Sequence, residues 1–152
     1  MRNKILERVS SELVSIPPIL TRGLRKKLVK LIINDDGLDI TPHQIEIMRV
    51  LDTEKRPLSI GEIGVKLHIP KAQMTQLIDK LVELNIVKRL AAKFDRRALE
   101  VSFTERGEAI MDNHKKSIRN AFQDIMSCLT DEDLNCLSSS LRKVKDILSK
   151  LY

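Results

Sequence analysis

The sequence predicts a mostly α-helical chain with one β-hairpin in its middle third. Three observations carry that expectation. Leu, Ile, Val and Met dominate the apolar residues, while aromatics, which favour strands, number only three Phe, one Tyr and no Trp. Apolar residues recur at steps of three and four through the first and last thirds, the period of an amphipathic helix. Near residue 100 the pattern changes to alternation. Leu99, Val101 and Phe103 point one way and Ala98, Glu100 and Ser102 the other, as in a half-buried strand.

The 152 residues suit one compact domain or two closely shared ones, with enough chain to bury a core. The first helix spans about residues 3–15, with Ile5, Val9 and Leu13 on one face. Pro17-Pro18 is expected to interrupt it. A second stripe, Leu20, Leu24, Leu28 and Leu31, ends at the turn residues Asn34-Asp-Asp-Gly37. Thr41-Pro-His-Gln44 is a capping box with Pro at the first helical position, opening a helix to about Asp52. Glu54-Lys-Arg-Pro57 is a polar turn. Ser59-Ile-Gly-Glu62 is a second capping box, opening a short helix to Leu67. Leu67-His-Ile-Pro70 turns into a further helix whose buried stripe is Met74, Leu77, Ile78, Leu81 and Leu84. Asn85 is placed for a left-handed cap.

Ile86-Val-Lys-Arg-Leu90 is a short strand. With Leu99–Phe103 it forms a hairpin whose tip is Lys93-Phe-Asp-Arg-Arg97. Thr104 caps a long helix that turns Ile110, Met111, Ile118, Ala121, Phe122 and Ile125 inward. Thr130-Asp-Glu-Asp133 caps the last helix. There Leu134, Leu137, Leu141, Val144, Leu148 and Leu151 make a coiled-coil-like seam. So short a seam cannot stand alone in water, and it must meet another helix within or between subunits.

The formal net charge of +6 suits a polyanionic partner. Residues 41–104 hold 11 Lys/Arg against 8 Asp/Glu and residues 1–40 hold 8 against 5, a net +3 each, while the last 48 residues hold 8 against 8. Cys128 and Cys136 make no disulfide framework and are expected in a core or interface. His43, His68 and His114 lack metal spacing, and no cofactor is expected. The start of the chain reads as neither a signal peptide nor a membrane span, so a soluble cytoplasmic protein is expected. Signatures of phosphate loops, serine hydrolases and zinc proteases are absent, which points away from an enzyme.

Short helix, tight turn, helix and hairpin is the order of a winged helix-turn-helix. A helix fits the major groove of a duplex, and a hairpin with a basic tip can reach the adjacent minor groove or phosphates. The face opposite the stripe of the second helix carries Lys71, Gln73, Thr75, Gln76, Asp79 and Lys80. Gln can pair with adenine, Lys with guanine, and Thr with a thymine methyl. Lys71, Gln73 and Gln76 in the first turns are the expected base readers, and Lys80 is better placed for phosphate.

Residues 41–104 resemble the DNA-binding core of the multiple-antibiotic-resistance regulator (MarR) family. The resemblance rests on Leu58-Ser-Ile-Gly-Glu-Ile63, Met74-Thr-Gln-Leu-Ile-Asp-Lys-Leu81, Asn85-Ile-Val-Lys-Arg89, Asp95-Arg-Arg97 and Val101-Ser-Phe-Thr104. It implies that Arg97 enters the minor groove with Asp95 orienting it. A narrow A·T-rich minor groove attracts such a cation. Lys88, Arg89, Lys93 and Arg96 would then be backbone contacts or solvated charge. The chain departs from the family pattern at His68 and Asn85, where Gly is common, and at the wing tip Leu-Ala-Ala-Lys-Phe, where Pro and acidic residues are usual.

The fold class expected is therefore mostly α: a winged helix-turn-helix at residues 41–104 with a two-stranded β-hairpin wing, flanked by dimerisation helices at 1–40 and 105–152. The expected function is a sequence-specific double-stranded DNA-binding transcription regulator, a homodimeric repressor on a pseudo-palindromic operator. The resemblance adds a small aromatic or phenolic effector. The alternative is a winged-helix protein–protein module with a merely solvated wing.

Overall fold

Helix starts are set by side chains that satisfy the unpaired N–H groups of a first turn. The computed structural model describes residues 1–33, 40–92 and 99–151, with the backbone alone at 21 and 23–33. The chain runs α1 (Arg2–Ile33), α2 (Pro42–Glu54), β1 (Leu58–Ser59), α3 (Ile60–Leu67), α4 (Lys71–Glu83), β2 (Val87–Ala91), β3 (Leu99–Phe103), α5 (Glu105–Met126) and α6 (Asp131–Leu148), with a final 3₁₀ turn at Ser149–Leu151. Both expected capping boxes form. Thr41 and Gln44 close one reciprocally at the start of α2, and Ser59 and Glu62 close the other at α3. Thr130 caps α6, accepting from the Asp133 N–H at 3.2 Å. Within the described residues no helix is long and apolar enough to cross a membrane.

Two compact units result: Lys27–Ile118, and Met1–Lys26 with Arg119–Tyr152. In the first, Ile47, Leu51, Leu58, Ile63, Met74, Ile78, Leu81, Ile86 and Val101 are buried to 2% exposure or less. Each such aliphatic side chain is worth about 1.5–3 kcal/mol when fully buried. Four helices, α2 to α5, and all three strands contribute to this one core, which fixes α4 against the sheet.

The sheet has three antiparallel strands in the order β1-β3-β2. Val87 faces Phe103, Arg89 faces Val101, and Leu58 faces Val101 from the other side. The hairpin was expected with two strands. The third is two residues long, too short to show alternation, and its Ser59 doubles as the cap of α3. Val101 is buried as expected, but Leu99, at the wing end of β3, is half exposed.

A close approach joins the sheet to α5. The Thr104 hydroxyl accepts from the Gly107 N–H at 3.0 Å and donates to the Asn85 carbonyl at 2.7 Å. A Cβ on Gly107 would lie 1.9 Å from the Ile86 carbonyl oxygen. Only glycine lets the first turn of α5 sit there. On α5, Met111 and Ala121 are buried and Ile110, Ile118, Phe122 and Ile125 partly so.

The second unit corrects one expectation. Pro17-Pro18 does not end the first helix; α1 runs through both prolines. Two prolines remove two N–H donors, yet their fixed φ is compatible with a helix. Ile5, Val9, Leu13, Ile16 and Leu20 stay in phase across them, at 43–48% exposure. A break would throw Leu20 out of register with Leu13. On α6, Leu137, Leu141, Val144 and Leu148 are likewise exposed, as is Leu151 just beyond it. Cys128 and Cys136 are exposed rather than in a core. The expected turn at 34–37 and the side chains of Leu24, Leu28 and Leu31 lie outside what is described.

Candidate nucleic-acid interface

α4 is held by a turn that demands a left-handed residue. His68 adopts φ 54 and ψ 37, and its N–H reaches back to the Gly64 and Val65 carbonyls. Ile69 N–H donates to the Gly64 carbonyl at 2.9 Å. His is among the residues that tolerate this region. Gly64 is buried, and a Cβ there would meet the Ile69 carbonyl oxygen at 2.9 Å. Asn85 closes the far side of the helix at φ 55. The two family departures at His68 and Asn85 thus keep the backbone that glycine usually supplies.

Between these turns α4 is sharply two-faced. Met74, Ile78 and Leu81 are buried, while Lys71, Gln73, Gln76 and Lys80 are exposed. Thr75 is half-buried, and its hydroxyl donates to the Lys71 carbonyl at 3.0 Å. Lys80 lies 3.4 Å from Glu83. Among the described residues no side chain caps α4, which follows Pro70, so its first-turn N–H groups suit an anion.

On the hairpin, Lys88 is exposed. The Arg89 guanidinium is held by the Asp79 carboxylate at 2.5 Å. Arg89, expected as a backbone contact or solvated charge, ties β2 to α4 through this pair. Asp79 was counted on the exposed face without a role, and ten residues separate it from its partner. Lys93, Asp95, Arg96 and Arg97, with the neighbouring Phe94, lie outside the described residues.

Sequence reasoning saw Gln44 only as a cap. It is also buried, and its Nε2 donates to the Leu77 carbonyl of α4 at 3.2 Å. Its burial could not be read from the Thr-Pro-His-Gln pattern.

Behind α4, ion pairs join α2 to its neighbours. Asp52 accepts from Lys55 at 2.5 Å and from Lys115 at 3.0 Å, and Lys115 reaches Asp112 at 2.8 Å. The Lys55 hydrogen bond, aided by Lys115 and opposed by burial, holds the Asp52 carboxyl below its ordinary value. Hydrogen bonds to Asp112 and Asp52 raise Lys115. A cleft of about 490 Å³ opens here between α2, the sheet and α5, and Lys55, Arg56 and Lys88 line it together with Asp52, Glu108 and Asp112. Among the described residues no three His, Cys, Asp or Glu side chains gather as a metal site.

Residues 38–98 match the MarR family. The uncharacterized HTH-type transcriptional regulator YpoP of Bacillus subtilis (strain 168) is 28% identical over 106 residues, covering 70% of this chain and 74% of YpoP. A solved MarR family protein from Bacillus stearothermophilus superposes with a TM-score of 0.74 at 20% identity, over 94% of this chain and 97% of that one. FabT of Streptococcus pneumoniae, solved in complex with DNA, gives 0.65 at 18% identity, over 97% and 99%.

Proposed function

This chain belongs to the MarR family of transcriptional regulators, and on that premise we propose that it binds double-stranded DNA sequence-specifically as a cytoplasmic, homodimeric, effector-responsive repressor. One observation carries the reading: α4 buries Met74, Ile78 and Leu81 and leaves Lys71, Gln73 and Gln76 outward on its first turns. That is a helix fixed by its core side with hydrogen-bonding side chains free to meet base edges. Lys80, further along the same helix, and Lys88, on β2, are the proposed phosphate contacts. Arg97, oriented by Asp95, is the proposed minor-groove probe, with Lys93 and Arg96 on the backbone. Arg89 is proposed to act from its Asp79 pair.

In this reading residues 41–104 form the reading head, and residues 1–40 and 105–152 pair two subunits. The exposed apolar faces of α1 and α6 support pairing, because stripes of that length rarely stay open to water. A two-fold dimer faces two half-sites about 34 Å apart, one helical turn of duplex. The effector is proposed to be a small aromatic acid or phenol that shifts the dimer between DNA-competent and incompetent spacings.

Selection of duplexes from a random-sequence pool tests this. The expected product is an inverted repeat with half-sites one turn apart. No enrichment at moderate salt would favour the protein–protein module instead. Titrating the selected operator complex with a panel of aromatic acids and phenols tests the effector; unchanged affinity across the panel would remove it.

A further inference from the structure

Gln44 is buried to 2% exposure and is the one polar side chain so enclosed among the described residues. Every polar atom of its amide is used. Oε1 accepts from the Thr41 N–H at 2.8 Å and from the Thr41 hydroxyl at 3.1 Å. A backbone N–H can meet only an acceptor, so the oxygen must face Thr41 and the amide nitrogen must face away. That nitrogen donates to the Leu77 carbonyl, 33 residues on. Leu77 follows Gln76 and lies one turn after Gln73, in the middle of α4.

Otherwise the buried residues that α2 and α4 give to the shared core are aliphatic and thioether side chains: Ile47, Met48 and Leu51 on one helix, Met74, Ile78 and Leu81 on the other. Such packing is strong but weakly directional. It offers no donor or acceptor that must be matched, so it does not by itself name one partner atom for α4. A buried amide N–H is different: moved off its acceptor, it is left unsatisfied among apolar side chains. We propose that Gln44 is a positioning residue that sets the register and rotation of α4, and through it the placement of Gln73 and Gln76 on base edges. Its capping bonds to Thr41 fix the amide in turn to the first turn of α2. This rests on the DNA-reading function proposed above.

The test compares wild type, Gln44→Met and Gln44→Glu in the full-length chain. Met keeps the volume and removes both polar duties. Glu keeps the acceptor for Thr41 and loses the donor to Leu77 while ionised. Affinity is measured for the selected operator and for random duplex of equal length, beside the melting temperature and amide exchange across residues 71–83. The expected result for Gln44→Met is an operator-to-random ratio lowered about tenfold, the loss of one base-reading contact, with random-duplex affinity unchanged. Gln44→Glu should show the same loss at neutral pH and recover toward wild type as pH falls, because a protonated carboxyl donates again. A role in stability alone would lower the melting temperature and leave the ratio at its wild-type value, which would overturn the proposal. If the wild-type chain prefers no duplex at all, the DNA reading fails separately, and exchange then decides. Faster exchange in 71–83 for both variants supports the register role, and unchanged exchange overturns it.

Discussion

A side chain that reads a base and one that holds a phosphate are told apart by which affinity they change. Gln76→Ala should weaken operator binding by roughly 1–3 kcal/mol and leave random-duplex binding nearly unchanged, measured by fluorescence anisotropy on both. Lys88→Ala should weaken both together and lower the slope of log affinity against log salt by about one. Arg97→Ala should cost roughly 1–3 kcal/mol, most on operators with A·T-rich flanks; equal affinities on such flanks would remove its role. Gly107→Ala belongs to the same scale but to stability. Its methyl would be driven against the Ile86 carbonyl, costing about 3 kcal/mol, the upper end of overpacking, seen as a lower denaturant midpoint.

Caps and ion pairs act on elements. Ser59→Ala should cost about 1 kcal/mol, because it removes the hydroxyl that accepts from the Glu62 N–H at 3.2 Å, while the backbone N–H of residue 59 still donates to the Glu62 carboxylate at 2.8 Å. That backbone bond, then the Ser59 hydroxyl and Arg56, hold Glu62 below its ordinary value. Asp52 is lowered too, chiefly by Lys55 and then Lys115. A carboxyl lowered by folding stabilises the folded state above its unfolded value of 3.8, and that contribution disappears as pH falls through the lower folded value. Thermal melts should therefore show stability falling below about pH 4, less steeply in Asp52→Asn. These elements were largely legible. Thr41, Ser59 and Thr130 announce their helices because capping is a local interaction within three residues. Pro17-Pro18 misled, because a local breaker rule says nothing of an apolar face that continues in phase beyond it.

For the molecule as a whole, the proposed pairing of two chains is the property to test. Leu141→Glu places a charge on the exposed seam of α6 and should shift the sedimenting mass from about twice 17.4 kDa toward one chain. Operator affinity should fall with it, since two half-sites are then no longer held together. A monodisperse wild-type monomer at micromolar concentration would contradict the proposed pairing.

The sequence by itself determined the order of elements, their caps, the hairpin, and the division of α4 into a buried stripe and a polar face. These follow from periodicity and from contacts within a few residues. The tertiary structure alone decided that Leu58-Ser59 forms a third strand, that Asp79 engages Arg89, that Asp52 bridges to Lys115, and that Gln44 is buried against Leu77. Each joins residues from ten to more than sixty positions apart. No local pattern records such a pair, because the two partners meet only once the shared core has brought their elements together.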